Sequence, residues 1–449
     1  MTGQPQGGKY WKYGGDFGDK PSDYDFNLNG IMFPDQTTKP AMEECRKVFA
    51  PVWFKEIDKK SGSFEVTNCF DFSDLSNVLL SWKILKNGVC VKKGDVHLGD
   101  SKVLPGEKKE ISIPCQDFTA KDDAEYILNI AFSYEKATSF APAGWIFGCD
   151  QVILNKADLS TTLFEDKNDN PKLCDLALIK HFAVRLEPEI FRALTENECV
   201  KRELPNLNAT PTPFAFYNKP TIEWLNKDIP NAIIENTGCG QFEIYSGSKA
   251  VAGKEKLADV KIKYECAESP VGCHAVKISA EFELTKSLNE FPRVGLSLKL
   301  PAAYDSVTWY GCGPQECYSD RKDGAMKGLY TRQADQLEVP YIVPQENGSR
   351  CDTNYICLQG DGQQPLHIQS ASPISFNYSR YTEADLWKCE HRSELTPTSG
   401  TGGEGAKEGY YTLHLDAAMR GVGTAACGPD TLEEYRIRPG KYKMEIIIY

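Results

Sequence analysis

YGGDFGDKPSDYDFNLNGIMFPD, Tyr13 to Asp35, is the stretch on which the reading of this chain turns. Its 23 residues hold four glycines and five aspartates, with Tyr13, Phe17, Tyr24, Phe26 and Phe33 spaced among them. Glycine and Lys20-Pro21 punctuate it too often for a helix, and it is too polar for a core strand, so it is a shaped loop. Carboxylates, amide side chains and aromatic faces are what a site needs to hold sugar hydroxyls or a hard cation. Composition alone favours a solvated turn, so the order of the residues and the rest of the chain must decide.

Immediately after the loop, Lys39 to Val52 carries a short helical pattern that ends at Pro51. From Phe54 the period changes. Phe64 and Val66 alternate with Glu65 and Thr67; Leu80, Trp82 and Ile84 alternate with Ser81 and Lys83; Tyr126, Leu128, Ile130, Phe132 and Tyr134 share a face. Such alternation predicts half-buried antiparallel strands, and Asn87-Gly88 predicts a two-residue hairpin. Residues 53–155 therefore read as one β-sandwich. Alternation returns from Val260 through Leu300 and again at Tyr442–Ile448, which predicts a second, larger antiparallel sandwich. Thr382 and Asp385 have capping-box spacing and predict a short helix before LWKCEHRSEL. Residues 156–250 are the least legible; Lys156–Pro171 reads as a linker.

The chain of 449 residues has material for two or three domains. Its net charge of −12 argues against nucleic acid or an anionic membrane surface as partner. No apolar run approaches the roughly 20 residues of a membrane span, and the first residues lack the apolar core of a secretory signal. Sixteen cysteines, none in a CxxC pair, then read as free thiols, and the expected location is the cytoplasm.

YGGDFGD, followed by Asp23, Phe26, Asn29-Gly30 and Pro34-Asp35, resembles the end of the catalytic barrel of β-galactosidases of glycoside hydrolase family two. VTNCFDFSDLSNVLLSWKILKNG resembles the sandwich that follows that barrel. VTWYGCGPQECYSDR (Val307–Arg321), VPYIVPQENGSR (Val339–Arg350), FNYSRYTEADLWKCEH (Phe376–His391) and LHLDAAMRGVGTAACGP (Leu413–Pro429) resemble, in order, the family's C-terminal supersandwich, also termed its small chain. The resemblance implies a mainly β protein. Its expected parts are the C-terminal remnant of a TIM barrel (1–52), an immunoglobulin-like β-sandwich (53–155) and a large antiparallel β-supersandwich (156–449). Phe191–Glu198, FRALTENE, resembles the family's RAPTDND segment, and the shorter interval between Cys149 and Arg192 implies a missing strand pair.

By the same resemblance, Asp23, Phe26 and Asn29 are the candidate substrate-binding residues. The Phe26 carbonyl and the Asn29 side-chain oxygen match positions that hold Na+ near the sugar's primary hydroxyl. Asp23 matches a position that orients the loop. The family's two catalytic glutamates, one Na+ ligand and its Mg2+ ligands belong to parts N-terminal to YGGDFGD, so no catalytic residue is assigned here. The expected partners are a galactoside and the N-terminal catalytic part of a β-galactosidase, with homo-oligomers if the protein is full length. The alternative is a non-catalytic, carbohydrate-binding β-sandwich protein. As the end of a barrel, residues 1 to about 50 are expected to be unordered alone, with Trp11, Tyr13, Phe17, Ile31 and Phe33 exposed.

Other patterns fail on context. Gly400–Gly405 satisfies G-x-G-x-x-G without a strand before it or a helix after it. The six histidines have no zinc spacing. Cys427 reads as a buried thiol, Cys389 and His391 as structural, and Trp309, Tyr310 and Trp387 as core packing. Asn347, a formal glycosylation sequon like Asn208 and Asn377, sits in PQENGSR and needs no glycan to explain it.

Overall fold

The computed structural model describes residues 10–100, 102–119, 124–159, 176–183, 185–198, 219–270, 274–397, 409–423 and 429–449. Period-two alternation becomes strands where expected. The first seven are β1 (Val52–Asp58), β2 (Ser63–Asn68), β3 (Val78–Lys86), β4 (Val89–His97), β5 (Lys108–Ser112), β6 (Tyr126–Tyr134) and β7 (Ile146–Asn155). They form a three-stranded sheet, β1-β2-β5, and a four-stranded sheet, β4-β3-β6-β7. Phe64, Val66, Leu80, Ile84, Leu128 and Phe132 are buried in one core between them, the arrangement of an immunoglobulin-like sandwich. Gly94 lies opposite Trp82 in the β3–β4 ladder, and a β-carbon there would come within 2.6 Å of the indole. Asn87 and Gly88 both take positive φ, 47° and 85°, as a type I′ hairpin turn requires.

The second sandwich contains twelve strands in one sheet system. They are β8 (Glu187–Glu189), β9 (Ile233–Gly238), β10 (Gln241–Tyr245), β11 (Lys256–Glu268), β12 (His274–Leu284), β13 (Arg293–Pro301), β14 (Ser306–Gly313), β15 (Met326–Gln333), β16 (Arg350–Gln359), β17 (Leu366–Ser379), β18 (Tyr410–Met419) and β19 (Gly440–Ile448). The main path runs β15-β14-β16-β17-β19-β12-β11-β10-β9, while β18, β13 and β8 continue from β17. Ile262, Ile278, Phe282, Leu296, Trp309, Phe376 and Ile446 belong to its continuous core.

Helix α1 (Pro40–Val48) begins with proline at its first turn, where the missing N–H costs nothing. Helices α2 (Leu176–Ala183) and α3 (Lys219–Asn226) lie in the interval that sequence left unassigned. Helix α4 (Glu383–Lys388) starts from Thr382, whose side chain accepts from Asp385 N while the Asp385 carboxylate accepts from Thr382 N. Residues 160–171 of the expected linker, and the segment holding Gly400–Gly405, lie outside the described residues.

Three sets of contacts lock the parts together. Tyr310 on β14 donates to Glu125 (2.7 Å), which also pairs with Lys327. Gln151 on β7 exchanges two hydrogen bonds with the Lys327 backbone. Helix α1 bridges both sandwiches: Lys47 pairs with Asp150 at 2.7 Å, and Glu44 accepts from the Asp323 and Gly324 amides. Trp309 and Tyr310 are fully buried and Trp387 packs against the core, as their sequence context suggested.

The opening segment departs from expectation. Tyr13 is 3% exposed and Phe33 5%, packed with Val339, Ile342 and Val343 of the supersandwich, and Trp11 is half-buried there. A barrel end considered alone has no core to enter; the loop before β16 supplies one. Phe17 and Ile31 remain exposed as anticipated.

Candidate functional site

Turn chemistry folds the opening loop. Asp16 accepts from the Tyr13 amide and Asp19 from the Gly15 amide, while Asp35 accepts from the Thr37 amide and hydroxyl. The Tyr13 hydroxyl donates to the Glu390 carbonyl at 2.7 Å, and its ring stacks on His391 with centroids 4.6 Å apart. His391 Nε2 lies 2.7 Å from Asp16 Oδ2. The histidine that sequence left as structural is thus the clasp that holds the loop to the supersandwich.

The clasped loop presents a single 3-10 turn, Tyr24–Leu28, to the outside. Asp23 precedes it; its carbonyl accepts from Phe26 N (3.1 Å), its side chain does not cap the turn, and it is exposed. Phe26 is 54% exposed, and Asn29 closes the turn with an exposed side chain. The three candidates therefore share one open turn. Lys39 reaches back to the Leu28 carbonyl at 3.1 Å and fixes its far end.

Sequence reasoning missed the floor beneath that turn. Glu196, from FRALTENE, holds Gln345 through two hydrogen bonds, Gln345 Nε2 to Glu196 Oε2 (2.8 Å) and Glu196 N to Gln345 Oε1. Burial, with a hydrogen bond to Asp25, pushes the Glu196 carboxyl well above the usual carboxylate range. A hydrogen-bonded carboxyl pair stands closer than the roughly 5–5.5 Å between the nucleophile and acid of a retaining glycosidase. Asp25 and Glu196 join the loop to its floor and do not form such a pair. Arg192 and Glu198 lock the segment through a buried bidentate ion pair, 2.7 and 2.8 Å, with Glu198 also accepting from Thr195 N.

A second polar cluster lies deeper. Glu189, Glu383 and His414 offer three ligand atoms within 4.8 Å of one another. Arg293 Nη1 lies among them, 3.4 Å from Glu189, 3.3 Å from Glu383 and 3.1 Å from His414. The positive charge this set can hold is thus the protein's own. Arg293 Nε also meets Asp416 Oδ1 at 3.0 Å. Burial pushes Asp416 up to about 7 against the pull of Arg293, and raises Glu189, Glu346 and Glu383 as well.

Asn347 and Asn377 are buried, and their amides bond within the loop that seats Tyr13, so neither is placed to carry a glycan. Asn208 and Cys427 lie outside the described residues. All cysteines among the described residues are free thiols. No helix among the described residues is long and apolar enough to cross a membrane.

Comparison with known proteins places these parts in order. A model of the glycosyl hydrolases family 2 TIM barrel domain matches residues 2–54, one of β-galactosidase domain 4 matches 64–155, and one of the β-galactosidase small chain matches 168–448. The β-galactosidase of Vibrio vulnificus (strain YJ016) is 28% identical across 98% of this chain and 43% of its own length. The Photobacterium profundum β-galactosidase is 26% identical over 98% and 44%, and that of Priestia megaterium 25% over 93% and 40%. The chain spans less than half the length of these relatives. The fold is mainly β, a barrel remnant followed by two sandwiches, and the small-chain match runs over more than half of the sequence. The chain belongs to the β-galactosidase small chain family.

Proposed function

We propose that this chain is the C-terminal part of a cytoplasmic β-galactosidase, which removes terminal β-D-galactosyl residues from substrates such as lactose. It presents the turn Asp23–Asn29 to the sugar. The two catalytic glutamates come from the barrel portion that precedes this motif in the family. The observation that carries the reading is the two-sided burial of the opening segment. Tyr13 and Phe33 are sealed onto the supersandwich, whereas Phe17, 72% exposed, and Phe26 face outward with Ile31 as an unfilled apolar rim. The missing staves of a barrel would cover that rim.

The Phe26 carbonyl and the Asn29 side-chain oxygen suit sodium in type, and both belong to the exposed turn. Hard cations take about six or more oxygens, so two are part of a set completed from the barrel and the sugar. When bound, the ion would supply a fixed positive charge beside a sugar hydroxyl. Asp23 sets the turn's entry and Lys39 its exit, so both ligands are held by backbone geometry. Nothing in the turn fits magnesium, and no step is assigned to it.

The test is reconstitution. The purified chain alone is expected not to hydrolyse a chromogenic β-galactoside, because losing general acid catalysis alone costs roughly 10²–10⁴-fold. Adding the barrel-containing N-terminal portion of a β-galactosidase should restore turnover, more in sodium than in potassium. Asn29→Ala should weaken the sodium dependence more than it weakens assembly. Turnover by the chain alone, blocked by a galactose-based inhibitor, would overturn the division of labour. A reconstituted enzyme indifferent to sodium and to Asn29 would overturn the role of the turn.

A further inference from the structure

Cys312, Cys317 and Cys351 come together with Ala325 in a small buried cluster outside the site just described. They arrive from different elements: Cys312 near the end of β14, Cys317 in the following turn, Cys351 at the start of β16. Cys351 N donates to Cys317 Sγ at 3.1 Å, and Cys351 Sγ reaches the Cys317 carbonyl at 3.3 Å. This reciprocal contact sets the two side chains against each other. The thiols of Cys312 and Cys351 also hydrogen-bond to Cys317 sulfur. Burial opposes ionisation of Cys317, yet those hydrogen bonds and the Arg350 charge hold its thiol well below the ordinary range. A sulfur so surrounded is the nucleophile of the group.

The cluster has a mouth. Cys312 is 6% exposed, and its Sγ lies 3.7 Å from Asp352 Oδ2. Asp352 pairs with Lys322 at 2.8 Å, and both side chains are partly open to solvent. Glutathione is too large for this entrance, whereas hydrogen peroxide is close to the size of a water molecule.

We infer that Cys317 and Cys351 form a reversible, peroxide-driven disulfide site. The Cys317 thiolate attacks one peroxide oxygen and becomes a sulfenic acid, releasing hydroxide as the O–O bond breaks. Cys351 thiol then attacks that sulfur, forming the S–S bond, and the sulfenic oxygen leaves as water with the Cys351 proton. In sum, two thiols and one hydrogen peroxide give one disulfide and two waters. Two equivalents of a small thiol reverse the change by exchange, once local opening admits them. The bond would tie the turn after Glu316 to the start of β16. Glu316 accepts from Gly348 N (2.7 Å) and the Tyr341 hydroxyl (2.6 Å), so it holds the loop that seats Tyr13 and Phe33.

The experiment treats the reduced, folded chain with a slight excess of hydrogen peroxide, quenches with an alkylating reagent in denaturant, digests without reductant and maps the peptides. The expected product joins the Cys317 and Cys351 peptides with the loss of two hydrogens, and dithiothreitol reverses it. It should form before the exposed Cys90, Cys239 and Cys266 are consumed. Cys317→Ser should abolish the link, and Cys312→Ser should keep it. Exposed cysteines oxidised while Cys317 and Cys351 remain alkylatable would overturn the inference. A link from Cys317 to Cys312 in place of Cys351 would overturn it equally.

Discussion

Tyr13→Ala tests whether the opening segment is truly anchored. Tyr13 is 3% exposed, its ring lies 4.6 Å from His391, and its hydroxyl donates to Glu390 O. Truncating a buried aromatic side chain to alanine costs about 3–5 kcal/mol. At about 1.4 kcal/mol per factor of ten, protection of residues 10–39 should fall roughly 100- to several-thousand-fold. Tyr13→Phe removes only the hydrogen bond, worth about 0.5–1.5 kcal/mol, and should have a much smaller effect. Phe17→Ala removes a side chain that is 72% exposed and should stay within about 0.5 kcal/mol of wild type. The assay is native-state hydrogen exchange, with peptides of β11 and β12 as internal reference. If the wild-type segment exchanges at the rate of an unfolded chain, or if Tyr13→Ala and Phe17→Ala act alike, the docking described here is wrong.

Further outcomes follow from other positions. Gly88→Ala puts a β-carbon at φ +85° and within 2.6 Å of Leu329 N on the neighbouring sandwich. Gly106→Ala has a similar φ of +79° with nothing within 4 Å. Backbone strain of about 1–2 kcal/mol should appear in both, and urea unfolding should show the larger loss at Gly88; equal losses would deny the interdomain contact. Asp416, raised to about 7 when folded, binds a proton that the unfolded chain has released above about pH 4. Its contribution therefore makes stability fall as pH rises from about 4 to 7. Glu189, Glu346 and Glu383 act in the same direction; His414, lowered chiefly by burial, opposes them below its ordinary range. Urea midpoints of Asp416→Asn should depend less on pH across that window, and an unchanged slope would contradict this account. Finally, most of the sixteen cysteines should react with a thiol reagent when the freshly purified protein is denatured without reductant; several stable disulfides in that preparation would contradict the thiol reading.

The strands were legible because each has one buried face, and burial of one face writes period two into the sequence. Asn87-Gly88 and Thr382 were legible because a turn and a cap each need particular residues at fixed spacing. Helix α2, LALIKHFA, carried no such mark: it is eight residues long and mostly apolar, with too few polar positions to show a period. The floor of the candidate site was hidden for another reason. Glu196, Gln345 and Asp25 lie in three distant segments, and so do the partners of Arg293, drawn from β8, β18, α4 and the loop before β16. Each residue taken alone looks like an ordinary surface charge.

The misjudged order of the opening segment shows where that blindness matters. A loop with four glycines has little reason to keep one shape alone, and a barrel fragment has an open edge. Both arguments are sound for the segment in isolation. They fail because ordering is set by what the rest of the chain offers. Here that is an apolar seat of Val339, Ile342 and Val343, a histidine facing Asp16, and a carbonyl for the Tyr13 hydroxyl. Each fully buried large apolar side chain contributes about 1.5–3 kcal/mol, so Tyr13 and Phe33 together offset the ordering of only a few residues, at roughly 1–2 kcal/mol each. The hydrogen-bonded turns at Asp16, Asp19 and Asp35 then limit how many residues remain to be ordered. The same reasoning explains why Phe17 and Phe26 stay outside. The seat is filled, and a further apolar side chain is buried only when another surface arrives. A segment held by one face and open on the other is a half-made interface, and the sugar-facing turn lies on its open half.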